Sequence, residues 1–177
     1  MRGQVEIHEY SPDWSKDYEA ERDAILTALQ GICTKMEHIG STSVPGLAAK
    51  PVIDMMAGVQ ELSLVTPDYI KRLEVAGYEY VHKPEFPERL FFRKGLWRAG
   101  THHLHIYEHG GENWLQNIRF RDYMIKHPEA RREYAALKKE LQTLYGDDRV
   151  RYTEAKAPFI RNMMERARRE WEAAAER

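Results

Sequence analysis

The sequence predicts an α+β fold with a helical C-terminal region, and three observations support this prediction. The chain has 177 residues, so folding is expected to bury roughly 70% of the surface that the unfolded chain exposes. Short apolar runs alternate with helical patterns up to about residue 111. From residue 112 onward the chain is almost entirely helix-forming. We therefore expect one domain over residues 1–177, with an α+β core over 1–111 and helices over 112–177 that pack on it or beside it.

Helices and strands of the first part are bounded by clear start and stop signals. Ser11-Pro12-Asp13 is a helix start, and Gly31 ends the pattern that follows, which predicts a helix over about 12–30. A second helix begins at Thr66-Pro67 and closes at Gly77. Strands are predicted around Val5 and Ile7 and over 33–39, 51–57, 78–81, 90–94 and 102–107. The segment KGLWRAGT contains the two glycines that a hairpin between the last two strands would use.

The second part predicts three helices separated by two breaks. His127-Pro128 interrupts the helical pattern once, and Gly146-Asp147-Asp148 interrupts it again. Pro158 is expected near the start of the last helix, where a missing backbone N–H is tolerated.

Composition excludes several classes of protein. Lys and Arg number 27 against 28 Asp and Glu, which argues against a protein that binds nucleic acid through bulk charge. No window approaches the roughly 18 apolar residues of a membrane span, and the N-terminus lacks a signal-peptide core. Cys33 is the single cysteine, so an internal disulfide is excluded, and we expect a small buried side chain. The expected location is cytoplasmic, and composition leaves the oligomeric state open.

A loop rich in small residues, followed by an acidic residue within an apolar strand, is the most informative stretch. Gly40-Ser41-Thr42-Ser43 follows a predicted strand, and such turns expose N–H groups and hydroxyls that hold phosphate oxygens, with Lys50 nearby as a charge partner. The alternative is an ordinary Ser/Thr-rich loop. Asp54 lies within VIDMM, where a carboxylate must be paired, coordinated to a metal or exposed in a cleft. The alternative there is a salt-bridged strand acid.

Four segments together resemble the GrpB family, a branch of the nucleotidyltransferase superfamily. They are HIGSTSVPGLAAKPVIDMM, HHLHIY, FRDYMIKHPEARREYAALKKEL and the later Tyr152 with Lys156, so the resemblance covers nearly the whole chain. It implies a nucleotidyltransferase-like mixed sheet with flanking helices. In the superfamily a Gly-Ser turn grips a triphosphate, and acids on two neighbouring strands hold divalent metal. By position, Gly40 and Ser41 match the turn, and Asp54 matches the first acid.

Two departures from the superfamily pattern concern the metal. Alternation along the strand places Val52, Asp54 and Met56 on one face, so the second acid position holds a methionine. The strand 102–107 offers His103 and His105 where a third acid would be expected. We therefore predict a bound divalent ion, which could be Mg²⁺, Mn²⁺ or Zn²⁺. Its identity stays open, because the superfamily pattern implies a divalent metal on carboxylates whereas imidazole suits Zn²⁺ or Mn²⁺ better than Mg²⁺. A metal-free polar or general-base role for the histidines, and plain packing, are the alternatives.

The sequence thus predicts a catalytic and metal-binding group of Asp54, His103 and His105 beside a phosphate site. The residues predicted to contact phosphate are Gly40, Ser41, Thr42, Ser43, Lys50, Arg93, Arg121, Lys138 and Lys156. Arg93 could instead belong to a solvated hairpin, and Arg121 to a structural pair with Asp122. Tyr152 shares a helix face with Lys156 if the last helix has begun by then.

The function expected from these residues is binding of a nucleotide or another phosphorylated small molecule, with metal-assisted nucleotidyl or phosphoryl transfer. The alternative is a non-catalytic nucleotide- or coenzyme-A-related binding or regulatory module that has lost the acid triad. Residues 1–111 hold 12 basic and 16 acidic residues, whereas 112–177 hold 15 and 12. A cleft between two oppositely charged parts is therefore expected, with no partner in a membrane.

Overall fold

In the described part of the chain, a five-stranded mixed sheet and five α-helices form the fold. The computed structural model describes residues 5–96 and 99–176, and for Leu96 the backbone alone. The strands are β1 (Cys33–Ile39), β2 (Ile53–Val59), β3 (Tyr78–Tyr80), β4 (Leu90–Leu96) and β5 (Ala99–Glu108). The helices are α1 (Asp13–Ala28), α2 (Pro67–Val75), α3 (Glu112–Lys126), α4 (Pro128–Tyr145) and α5 (Arg149–Ala175). The α+β fold with a helical C-terminal region is thus confirmed.

The strand order places β2 and β5 side by side at the centre of the sheet. The order is β1-β2-β5-β4-β3, in which β2 and β5 pair in parallel and the other neighbours pair antiparallel. In the parallel register Asp54 lies beside His103 and Met56 beside His105. Side chains of register partners share a sheet face, so topology alone brings the acid and the two histidines together.

The other face of the same two strands forms the main core. Met55 and Ala57 of β2 are fully buried, as are Leu104 and Ile106 of β5, and they pack in one apolar cluster with side chains of α1 and α2. Leu104 and Ile106 alternate with His103 and His105 along β5, so they point to the opposite face of the sheet from the histidines. The polar group therefore stands on a rigid, closely packed support.

The loop after β1 is fixed by the helical region. Val44 and Leu47 of this loop are fully buried in a cluster with Met124 of α3, Tyr134 of α4 and Met163 of α5. Three helices thus contact one side of the loop, while β2 continues from its other end. This packing sets the distance between the loop and the basic side chains of α4 and α5.

Two expectations about elements need correction. Val5 and Ile7 form no strand, because the backbone N–H of Val5 binds the carbonyl of Gly146 and the isolated bridge next to them joins His8 to Ala49. Pro158 lies inside α5, nine residues after Arg149, because the Asp148 carboxylate already caps the helix by accepting from the N–H groups of Val150 and Arg151.

Smaller differences concern strand ends and Cys33. β2 begins at Ile53 and not at Pro51, which has no N–H to donate. β4 and β5 extend beyond the predicted 90–94 and 102–107, and the centre of their connection, residues 97–98, lies outside the described residues. Cys33 is half-buried against the main core. Among the described helices, none has both the length and the apolar character needed to cross a membrane.

Candidate functional site

The loop after β1 brings its backbone against the carboxylate of Asp54. Gly40 has φ 70° and ψ −171°, a conformation that is essentially restricted to glycine. A Cβ at this position would lie 2.7 Å from the Asp54 Oδ2 atom. The Ser43 hydroxyl donates to the Gly40 carbonyl at 2.6 Å and closes the turn. The glycine of the predicted Gly-Ser turn is therefore required by both conformation and space.

Substitution of Gly40 by alanine tests whether glycine is required at this position. The disfavoured backbone conformation alone is expected to cost about 1–3 kcal/mol of folding free energy, and the contact with Asp54 adds to that cost. Thermal unfolding should therefore show a melting temperature several degrees lower, at roughly 2–4 °C for each kcal/mol in a chain of this size. Gly46→Ala is the control, because Gly46 also has a positive φ but nothing lies within 4 Å of its Cβ position. Equal destabilisation by both variants would mean that the contact with Asp54 contributes nothing to the cost of the Gly40 substitution.

Thr42 contributes to the shape of the loop through its hydroxyl. The Thr42 Oγ1 atom lies 3.0 Å from His38 Nε2 and donates to the Val52 carbonyl at 3.4 Å. Burial lowers the pKa of His38 to about 4, so this imidazole is neutral at neutral pH and its Nε2–H donates to Thr42. The side chains of Thr42 and Ser43 are thus engaged within the loop, which leaves Ser41 as the hydroxyl closest to the basic residues of α4.

Asp54, His103 and His105 converge as predicted. His103 Nδ1 lies 3.0 Å from Asp54 Oδ1, and His105 Nε2 lies 3.8 Å from the same oxygen. One potential ligand atom of each side chain lies within 4.8 Å of the others. Burial alone would raise the pKa of Asp54, but hydrogen bonding and charge from His103 and His105 hold its pKa well below the usual range. Asp54 is therefore ionised at neutral pH, and His103 donates Nδ1–H to it.

This donor set does not fit a resident Mg²⁺ ion. Mg²⁺ prefers a nearly complete shell of oxygen atoms, whereas the group offers one carboxylate and two imidazoles. A transition metal suits imidazole better, but the Arg89 Nη1 atom lies 2.9 Å from His105 Nδ1 and already uses one of the ring nitrogens. The geometric convergence agrees with the prediction, and a bound metal stays a prediction.

Three lysines face the Asp/His group across a cleft of about 190 Å³. The Lys138 Nζ atom donates to Ser41 Oγ at 3.1 Å and lies 4.3 Å from the centre of the Tyr134 ring. Lys156 and Lys50 approach the Tyr152 ring, at 4.6 and 5.7 Å from its centre. The described residues that line the cleft are Ser41, Thr42, Ala49, Lys50, Val52, Asp54, His103, Lys138, Tyr152 and Lys156.

Burial in this cleft lowers the pKa values of the three lysines. Lys138 is only 2% exposed, and burial with the nearby positive charge of Lys156 lowers its pKa to about 7. Burial and Lys50 lower the pKa of Lys156 to about 8, although Asp54 opposes the shift. The pKa of Lys50 is lowered as well, mainly by burial. A bound anion would therefore stabilise the protonated, positively charged form of these lysines.

Two side chains beside the candidate site were not among the residues predicted for it. Tyr152 lines the cleft, and its buried hydroxyl has no hydrogen-bond partner in the described part of the chain. Its spacing from Lys156 was the available signal, and α5 does begin before it. Arg89 contacts His105 from a position one residue before the predicted strand 90–94, so no strand register predicted this contact.

Two predicted phosphate contacts do not line this cleft, although Arg93 is the register partner of His103 on β4. The Arg93 guanidinium pairs with Glu79 on β3 at 2.8 Å. The Arg121 guanidinium donates to Glu37 at 2.7 Å and to the His38 carbonyl at 3.1 Å, so it joins α3 to β1. Neither residue lines the cleft described above. The structural alternative for Arg121 fits its contacts, and a phosphate contact by Arg93 or Arg121 is not supported.

The mixed sheet, the Gly-Ser turn and the central strand acid define a nucleotidyltransferase-like α+β protein. A crystal structure of the Cid1 poly(U) polymerase with Mg 3′-dATP bound superposes with a TM-score of 0.53 over 78% of this chain and 44% of that one, at 13% sequence identity. At this identity the similarity concerns the fold. The model of the GrpB protein family matches residues 4–166, and the chain belongs to this family.

Individual relatives agree with this membership. The crystal structure of GrpB from Enterococcus faecalis is similar with a TM-score of 0.86 and 36% identity, over 94% of this chain and 99% of that one. The glutamate-rich protein GrpB of Alkalihalophilus pseudofirmus is 32% identical over 90% of this chain and 93% of its own length. YqkA of Bacillus subtilis is 33% identical over 93% of this chain, which spans 48% of that longer protein.

Proposed function

We propose that the protein binds the phosphate groups of a small phosphorylated molecule, in the favoured case a nucleotide, in the cleft between the sheet and helices α4 and α5. The observation that carries this proposal is the charge of the cleft. Lys50, Lys138 and Lys156 line it together with one carboxylate, that of Asp54. Buried ammonium groups without a matching number of acids are costly, and a ligand with two or more negative charges would offset that cost.

The ligand would lie on the Gly-Ser turn with its charge toward the helices. Ser41 and Lys138 already contact each other, so one phosphate oxygen could accept from both. The free hydroxyl of Tyr152 is a further donor on the same wall. Lysine is a suitable partner here because it acts as a point charge that adapts to several phosphate oxygens.

The Asp54–His103 pair supplies a general base for group transfer. Because His103 Nδ1–H donates to Asp54, the Nε2 atom of this tautomer of His103 carries a lone pair and can accept a proton. In the proposed step, an acceptor hydroxyl gives its proton to His103 Nε2 while its oxygen forms a bond to phosphorus. The bond from phosphorus to the leaving phosphate oxygen breaks, and the lysines neutralise the leaving group. A divalent ion would enter as part of a nucleoside triphosphate ligand.

Titration calorimetry tests the binding proposal with inorganic triphosphate, ATP and UTP, each with and without MgCl₂. Lys138→Met should weaken binding by about tenfold or more, since a charged hydrogen bond is worth roughly 1.5–3 kcal/mol. Lys139→Met is the matched control, because this neighbouring lysine is exposed and pairs with Glu9. Wild-type protein that binds none of the three ligands would contradict the proposal, as would equal effects of the two variants.

A non-catalytic binding module is the second candidate, and Met56 favours it. Met56 is fully buried in a cluster with Ile39, Tyr107 and Trp114, so the position of the second acid belongs to an apolar core. The two candidates differ in turnover of the bound ligand. Release of pyrophosphate from a bound nucleotide, reduced in a His103→Gln variant that still binds inorganic triphosphate, would support transfer. Tight binding without release in the presence of varied hydroxyl acceptors would support the module.

A further inference from the structure

Arg89 lies next to the first residue of β4 and contacts His105 of the Asp/His group. Its Nη1 atom lies 2.9 Å from His105 Nδ1. Its guanidinium carbon lies 4.6 Å from the centre of the Phe86 ring and 5.5 Å from that of the Phe91 ring. Phe91 is the register partner of His105, and its ring centre lies 5.1 Å from that of His105. Two aromatic rings and a strand register therefore hold this contact.

The contact fixes which nitrogen of His105 carries the proton. A guanidinium group has five N–H donors and no acceptor, so His105 Nδ1 must accept. The proton of a neutral His105 is then on Nε2, the atom that lies 3.8 Å from Asp54 Oδ1.

A metal ion would require the opposite arrangement. Coordination through Nε2 needs the lone pair there and moves the ring proton to Nδ1. That proton would then face an N–H group of Arg89 at hydrogen-bond distance, with no acceptor between the two donors. The fixed positive charge of the guanidinium also opposes a cation at the same ring.

We propose that Arg89 is a positioning residue that holds His105 as the Nε2–H tautomer and thereby keeps the Asp54, His103 and His105 group free of a resident metal ion. His105 then directs its Nε2–H toward Asp54 Oδ1 at 3.8 Å and acts on the carboxylate through its dipole, whereas His103 makes the hydrogen bond at 3.0 Å. The group then acts as a hydrogen-bonded base unit, whereas the superfamily pattern places divalent metal at the corresponding acids. The inference concerns the cleft of the proposed function, but it does not depend on which ligand binds there.

Two measurements test this inference without any phosphate ligand. Long-range ¹H–¹⁵N spectra of protein labelled at histidine distinguish a protonated from an unprotonated ring nitrogen, and a His105→Asn variant assigns the signals. Wild-type His105 should show a protonated Nε2. Co²⁺ titration, followed by visible absorption, should give little binding to the wild type and at least tenfold tighter binding to Arg89→Met.

The variants separate the role of the donor from general effects on folding. Arg89→Lys keeps an N–H donor and should resemble the wild type in both measurements. Arg72→Met is the matched control, because Arg72 also lies over an aromatic ring, that of Tyr69, in helix α2. A protonated Nδ1 in wild-type His105 would overturn the inference, and so would Co²⁺ binding to the wild type as tight as to Arg89→Met. Both of these outcomes can occur whether or not triphosphate binds, so they are distinct from failure of the proposed function.

Discussion

Lys138→Met is expected to raise the melting temperature of the ligand-free protein, although the lysine lies at the centre of the proposed binding site. Replacement of a buried charge by an apolar side chain of similar length is often stabilising by about 1–4 kcal/mol. Lys138 is 2% exposed and contacts a hydroxyl and an aromatic ring but no carboxylate in the described residues. At roughly 2–4 °C per kcal/mol, the gain is measurable by calorimetry.

The stabilisation should depend on pH in a defined direction. The pKa of Lys138 is about 7 in the folded protein against an ordinary value of 10.5. Between these values the unfolded chain holds a proton that the folded chain has released, so the free energy of unfolding of the wild type rises with pH. The groups that face Lys138 are Tyr134 on its own helix, Ser41 in the loop and Lys156 on α5. The advantage of Lys138→Met should therefore be largest below pH 7 and shrink toward pH 10.

Lys139→Met controls for the loss of one positive charge on α4. Its side chain is 55% exposed, so its effect on the melting temperature should be small at every pH. A Lys138→Met protein that is less stable than the wild type at pH 6 would mean that the contacts with Ser41 and Tyr134 outweigh the cost of burying the charge. The lysine would then be a structural residue, and the case for a ligand that offsets its charge would lose its main support.

The sequence was sufficient to predict the elements that depend on local patterns. The Gly-Ser turn, the apolar strand with Asp54 and the alternation of His103 and His105 are all properties of neighbouring residues. The parallel pairing of β2 with β5 places Asp54 beside His103 and His105. That pairing was expected from the resemblance to a known family and not from the local sequence. The segment around Val5 and Ile7 is held by Gly146 and Ala49, which lie far along the chain, so the absence of a strand there was missed. The cap at Asp148 is a local signal, two and three residues before its partners, and the expectation of Pro158 near the helix start overlooked it.

Charge pairing across elements was the least predictable feature. Arg93, Arg121 and Lys138 are all basic residues near the site in sequence or by family position, but their partners differ. Glu79 and Glu37 neutralise the two arginines, and nothing in the local sequence of β4 or α3 reveals these pairs. The lysine is the one that remains with a hydroxyl. A basic residue indicates a ligand site only when the fold supplies no acid for it.

Asp54→Asn is expected to have the opposite effects on stability and on binding. Asparagine is nearly isosteric, so the close approach of Gly40 is kept. The hydrogen bond from His103 then reaches a neutral amide oxygen and not a carboxylate, which is expected to cost roughly 1–1.5 kcal/mol. The variant should therefore unfold at a lower temperature. Affinity for inorganic triphosphate should increase about three- to tenfold, since removal of a like charge at the edge of the cleft is worth on the order of 1 kcal/mol.

The sign of the change in affinity separates two ways in which phosphate could be held. If the lysines alone bind the phosphate groups, the Asp54 carboxylate repels the ligand and its loss tightens binding. If an ion held by Asp54 bridges to the phosphate, the same substitution weakens binding, and the weakening depends on added metal. Asp68→Asn, at an exposed acid in the first turn of α2, controls for the change in net charge. We expect Asp54→Asn to bind triphosphate more tightly and to release pyrophosphate from bound nucleotide about 10²–10⁴-fold more slowly. This combination would identify Asp54 as part of a base unit. A group that weakens ground-state binding and is still required for turnover must serve the transfer step.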